Sequence, residues 1–261
     1  MPARRPAARF TARRRVTSAL AVFTRSASPG RTKTRLIPLL GAQGAAGLHA
    51  ALVRDTLRKV DSLSPAIARY VFLACPPARA GKRGQAGPAL AGLPARFRLL
   101  RQRGRDLGQR LQNAFRILLR HYSRVVVIGT DSPLLAPRVL REAFRELQVC
   151  DAALGPCRDG GYYLIGLRRL DAGLFQGVGW STAHAFRDTL SNLLRRGYSC
   201  SVLEPCGDVD RPADVVQLKA ALRRESSARR LAPATWKYLQ LRGEVGMESA
   251  PSYRGQAAAS K

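Results

Sequence analysis

The chain has 261 residues, 46% of them hydrophobic, enough to bury the core of one domain flanked by tails. Its formal net charge of +28 comes from 45 Lys and Arg against 17 Asp and Glu. The excess is spread along the chain without a nucleic-acid recognition motif. It therefore predicts non-specific nucleic-acid binding at low salt and attraction for phosphate-bearing small molecules, but not a dedicated nucleic-acid reader.

Residues 1–15 carry six arginines and no acid, and read as a basic tail. A brief apolar stretch, Ala19 to Phe23, follows without a small-residue cleavage site, and no run approaches the ~20 apolar residues that span a bilayer. The expectation is a cytoplasmic protein with no membrane span. Five cysteines, Cys75, Cys150, Cys157, Cys200 and Cys206, form no C-x-x-C pair, so they read as small apolar filler.

In chain order, residues 17–24 predict a buried strand, and apolar spacing from about Ala42 to Val60 predicts a helix. A second strand falls at 67–75. The Gly/Pro/Ala-rich stretch Pro76 to Pro94 reads as a mobile excursion. A short strand is expected over 96–100 and a helix over 107–120. Residues 124–129 (RVVVIG) predict the core strand most clearly, because four β-branched residues stand in succession. A helix over 137–147, strands at 150–155 and 162–167, a helix over 182–196, a strand near 199–204 and a helix over 212–223 complete the series. Such alternation predicts a three-layer α/β/α domain over 16–223 with a mostly parallel central sheet. Residues 224–261 read as a tail of mostly poor order, in which only Trp236 to Leu241 could dock.

Four segments carry candidate chemistry. The loop after the first strand, RSASPGRTKTRL, places Gly30, Arg31, Lys33 and Arg35 at the carboxyl edge of the sheet. There a glycine admits close backbone approach and the cations can hold phosphate oxygens. It is not a Walker A loop. In VVVIGTDSPLL, Asp131 leaves the core strand at the same edge, and is either a ligand for Mg²⁺ or Mn²⁺ or a turn aspartate. GPCRDGGYY offers Asp159 with Gly160 and Gly161, as an acceptor-side site or a plain hairpin. In DVDRP, either Asp208 or Asp210 can complete a metal site with Asp131, or Asp210 merely caps the last helix. Asp106-Leu107-Gly108 and Trp180-Ser181-Thr182 read as helix starts, with Trp180 available to stack on a ring. The three histidines, His49, His121 and His184, are too scattered for a metal cluster or triad.

The ordered motifs VFTRSASPGRTKTRL, DLGQRL, VVVIGTDSPLL, GPCRDGGYYLIGL, GVGWST and DVDRPADV, spanning residues 17–222, resemble a bacterial family of glycosyltransferase-A-like proteins. Some of its members are linked to arsenosugar biosynthesis. The superfamily also holds phospholactate and molybdenum-cofactor guanylyltransferases. The resemblance implies a nucleotide-diphospho-sugar transferase fold, with nucleotide on the N-terminal half and acceptor on the C-terminal half. It implies that Gly30, Arg31, Lys33 and Arg35 hold the diphosphate, and that Asp131 and Asp210 bind Mg²⁺ or Mn²⁺. Asp159, with Asp131, would be catalytic, and Gly160, Gly161 and Trp180 would face a small-molecule acceptor. The family loop commonly has Lys where Arg25 stands and Val or Pro where Ser28 stands. The implied activity is glycosyl transfer from a nucleotide-sugar. Nucleotidyl transfer from a nucleoside triphosphate with pyrophosphate release, and non-catalytic nucleotide or nucleic-acid binding, are the alternatives. The sequence carries no signal for an oligomeric state.

Overall fold

The structure is a computed structural model that describes residues 17–74, 90 and 92–243. The basic tail, most of the Pro76–Pro94 excursion, Cys75 and the last 18 residues lie outside the described residues.

Among the described residues, seven strands form one sheet: β1 (Ser18–Arg25), β2 (Ile67–Ala74), β3 (Phe97–Arg101), β4 (Arg124–Ile128), β5 (Ala152–Pro156), β6 (Tyr162–Leu167) and β7 (Cys200–Val202). Their order is β3-β2-β1-β4-β6-β5-β7. All run in one direction except β6, which is antiparallel to both β4 and β5. The Asp159-Gly160-Gly161 turn joins β5 to β6 and accounts for the reversal, because a connection this short can only return antiparallel. The register pairs Ser18 with Arg124 and Val22 with Ile128, so the loops after β1 and β4 leave the same edge.

Alternation along the strands feeds two cores. On β1, Leu20 and Val22 face one side and Ala19, Ala21 and Phe23 the other. The first side packs against α1 (Ile37–Asp61) and α3 (Pro137–Glu146) through Val53, Leu57, Leu140 and Phe144. The second packs against α2 (Leu107–Leu118) and α4 (Ala185–Arg195) through Leu111, Phe115 and Leu193. This is the expected three-layer arrangement. Phe72 and Phe115 are fully buried between the layers, each worth roughly 1.5–3 kcal/mol by removal from water.

Helix α1 departs from its expected form at the start, where Gly41 has φ 67° and ψ 167° and interrupts the first turns. Regular helix resumes at Ala42, where the apolar spacing begins. The segment Thr34–Asp61 is long and apolar enough to cross a membrane by composition, contrary to the sequence expectation. The reason is its many Ala residues among Leu, Ile and Val, which raise the mean hydropathy although Gly, Gln and His interrupt the run. Just over half of its most apolar window (56%) is buried inside the protein, the place of a core helix.

The C-terminal stretch also differs from its expectation. After α5 (Pro212–Arg224), residues Ser226–Leu231 form α6 and Pro233–Gly243 form α7. The shortness of α6 and the weak helical periodicity of α7 hid them, because their stability is tertiary. Ala228, Ala232 and Leu239 join α5 and the outer face of α1 in a third apolar cluster around Leu48, Leu52 and Leu218. Glycines on α1 make this possible: a Cβ at Gly44 would strike the Arg242 guanidinium, and one at Gly47 the Tyr238 ring.

Candidate active site

The loop after β1 folds onto itself before it reaches the pocket. Thr32 is buried, and its hydroxyl donates to the Ser26 carbonyl at 2.7 Å and accepts from the Ser28 amide at 3.3 Å. Gly30 takes φ 75°, a left-handed turn that favours glycine, and with Arg31 forms the exposed crest. Lys33 also lies in the left-handed region, at φ 52° and ψ 45°, uncommon for a residue with a side chain. This conformation turns Lys33 inward while Arg35, two residues on, remains exposed.

The buried Lys33 ammonium gathers three oxygens. It donates to the Val209 carbonyl at 2.6 Å and to Asp210 Oδ1 at 3.5 Å, and lies 2.7 Å from Asp131 Oδ1. Arg35 Nη1 donates to Asp210 Oδ2 at 2.6 Å. Asp131 reaches this point because the chain turns after β4 and its carbonyl accepts from the Val209 amide at 2.8 Å, stitching the two acidic segments together. The Asp131 side chain is 47% exposed overall, yet Oδ1 is sealed from solvent and receives no aligned hydrogen bond. Burial pushes this carboxyl up, but the Lys33 ammonium, with His49 and Arg25 behind it, overrides burial and holds it below the ordinary aspartate range.

His49 lines the same pocket. Its Nε2 lies 3.1 Å from the Arg25 carbonyl and so carries the proton, leaving Nδ1 buried without a partner. Burial lowers its pKa more than Asp131 raises it. The sequence reading set His49 aside because helical periodicity alone does not show that this side of α1 meets the end of β1.

Across the pocket, ligand atoms of Cys157, Asp159 and Asp208 lie within 4.8 Å of one another. Asp159 Oδ1 accepts from the Gly161 amide at 2.9 Å, which closes the turn and leaves the other oxygen to the pocket. Burial, then the neighbouring Asp159, raises the Asp208 pKa to about 6. Burial, then Asp208 and Asp159, also pushes the Cys157 thiol up. Cys157, read from the sequence as filler, sits in this acidic group by virtue of standing two residues before Asp159.

The opposite wall is built by close approaches that need glycine. Gly160, at φ 89°, packs so tightly on the Ala183 carbonyl that a Cβ would collide, and its own carbonyl accepts from the Phe186 amide at 2.9 Å. The helix expected from 182 starts at Ala185, because Ser181 takes φ 64° and residues 181–184 make turns instead. A Cβ at Gly108 would lie 2.9 Å from Trp180 Nε1. That glycine lets the indole seat against α2, edge-on to Tyr162.

The resulting pocket has a volume of about 940 Å³. Lys33, Arg35, Asp131, Asp159, Gly161, Trp180 and Asp210 all line it, together with Asp208, His49, Arg25, Arg158 and Arg211. Gly160 stands behind its wall. Asp131 and Asp210 share one ammonium, whereas Asp159 pairs with Asp208. The sealed Asp131 oxygen and the carboxylate-rich donors fit a hard divalent cation such as Mg²⁺ or Mn²⁺.

A largely parallel sheet whose cationic β1 loop and acidic β4 loop face one cleft defines the nucleotide-diphospho-sugar transferase fold, and solved structures agree. A candidate nucleotide-diphospho-sugar transferase from Desulfovibrio desulfuricans G20 matches with TM-score 0.76 and 29% identity, over 88% of this chain and 96% of that one. The inositol-1-phosphate CTP transferase of T. maritima matches with TM-score 0.52 and 13% identity, over 84% and 96%. The 4-diphosphocytidyl-2C-methyl-D-erythritol synthase of Anaerococcus prevotii DSM 20548 matches with TM-score 0.52 and 10% identity, over 80% and 97%. At these identities the last two establish the fold alone. Residues 60–182 match the family described as "Uncharacterized protein conserved in bacteria (DUF2064)". No curated protein sequence matches the chain.

Proposed function

We propose that this chain is a divalent-cation-dependent transferase that takes a nucleotide-activated donor, and that it transfers a glycosyl group from a nucleotide-sugar to a small acceptor. The observation that carries this reading is the meeting of Lys33 with Asp131 and Asp210 in one cleft, which puts polyphosphate donors and cation ligands side by side. The likeness to the Desulfovibrio protein supports a sugar nucleotide.

In this reading Lys33 and Arg35, with Arg31 from the crest, hold the diphosphate, and Asp131 with Asp210 or Asp208 holds Mg²⁺ or Mn²⁺. The bound cation supplies positive charge against the leaving diphosphate. The bond from the anomeric carbon to the diphosphate oxygen breaks, its electron pair leaving with the diphosphate. The acceptor hydroxyl oxygen forms the new bond and gives its proton to Asp159, which stands on the acceptor side with Gly160, Gly161 and Trp180.

Nucleotidyl transfer is the second reading, and a specific feature favours it. Arg158 and Arg211 line the pocket beside the acids, where a phosphorylated acceptor would need cations. Isothermal titration with a panel of nucleotide-sugars, with and without Mn²⁺, tests the first reading, and pyrophosphate release from a triphosphate panel tests the second. Binding of no nucleotide-sugar at all would overturn the first.

A further inference from the structure

The geometry points to Lys33 as an exchangeable counter-ion: its ammonium and a divalent cation compete for the same Asp131 oxygen, so a polyphosphate that draws Lys33 to itself strengthens cation binding. The two ligands then bind as a coupled pair. This rests on the transferase reading above and adds to it an order of charge exchange.

Three features of the cleft carry the inference. The Lys33 ammonium sits among Val209 O, Asp131 Oδ1 and Asp210 Oδ1, at 2.6, 2.7 and 3.5 Å. While those contacts hold, its charge is engaged by protein oxygens rather than by a phosphate. A hard cation bonds oxygen at roughly 2.1 Å, which on this oxygen brings it within about 4 Å of the ammonium nitrogen, where the like charges repel. Lysine and cation therefore weaken one another's hold on Oδ1.

The contact is also built to be released. Asp131 Oδ1 receives charge from Lys33 but no aligned hydrogen bond. Asp210 keeps Arg35 as a partner at 2.6 Å when Lys33 leaves, so the carboxylate laid open is that of Asp131, the one the cation takes. Lys33 holds a left-handed backbone angle that its surroundings must maintain, and loss of the contact lets that angle relax. Because binding free energies are linked, a polyphosphate that removes the ammonium from Asp131 must raise cation affinity, and the cation must raise polyphosphate affinity by the same factor.

The test measures Mn²⁺ binding to the full chain by electron paramagnetic resonance at fixed ionic strength. Inorganic pyrophosphate serves as the polyphosphate probe, with correction for the complex it forms with Mn²⁺ in solution. Wild type is expected to bind Mn²⁺ alone weakly and about ten-fold more tightly with pyrophosphate. Lys33→Gln, checked for a native circular-dichroism spectrum, is expected to bind Mn²⁺ alone about ten-fold more tightly than wild type and to gain little from pyrophosphate. Adding Asp131→Asn is expected to abolish that gain. Should Lys33→Gln not fold, the wild-type coupling decides alone. Independent binding of Mn²⁺ and pyrophosphate to wild type overturns the exchange and leaves the transferase reading standing. Binding of neither overturns both.

Discussion

The carboxylate of Asp55, deep in α1, caps the first turn of α7: Oδ1 accepts from the Ala234 amide at 2.9 Å and Oδ2 from the Thr235 amide at 2.8 Å. Asp55 is almost wholly buried, so these two amides are shielded from water and need that partner. Replacing it with Ala strands both, at a cost of about 2 kcal/mol. Asp55→Ala is expected to lower Tm by roughly 4–8 °C in a thermal melt followed by circular dichroism. An unchanged Tm would show that α7 does not rest on this cap.

Gly160 is held between the β5–β6 turn and the segment ahead of α4. Its left-handed angle and its contact with the Ala183 carbonyl both refuse a side chain. Since the obstacle is backbone rather than a flexible side chain, Gly160→Ala must push the two segments apart. We expect a loss of about 2 kcal/mol in urea unfolding with no change in m. A variant as stable as wild type contradicts this packing.

Asp208 gives a pH signature. Its folded pKa of about 6 lies above that of an unfolded aspartate, so the folded chain binds this proton more tightly. Above pH 6 folding bears the full cost of the charged, half-buried carboxyl. That cost fades as pH falls through 6 and is gone below the unfolded pKa of about 4. Screening by solvent keeps it to about 1 kcal/mol. In EDTA, Asp208→Asn is therefore expected to be the more stable protein at pH 7.5 and equal to wild type near pH 4. A gap independent of pH, or of opposite sign, contradicts the assignment.

Much of the fold could be read from the chain because local pattern and tertiary role agree. In RVVVI the β-branched run is both a strand former and core, and in Leu111, Ala114, Phe115 and Leu118 the helical spacing is also the buried face. The α7 helix escaped because its fixing partner, Asp55, lies on another helix far away in sequence. Within the candidate site, cations after β1 and an aspartate after β4 were visible from position alone, since parallel strands deliver their loops to one edge. Pairings among them were not visible. Nothing in DVDRP distinguishes Asp208, which faces Asp159, from Asp210, which faces Lys33 and Arg35. His49 escaped for the same reason, because its neighbour across the cleft is set by how α1 packs on β1.

The most direct test of the account is a calorimetric titration of wild type and Asp131→Asn with a panel of nucleotide-sugars in Mn²⁺ and in EDTA. The account predicts that at least one donor binds wild type in Mn²⁺, and that either EDTA or Asp131→Asn weakens it by about ten-fold or more. Donor binding that is indifferent to both the metal and Asp131 would contradict it.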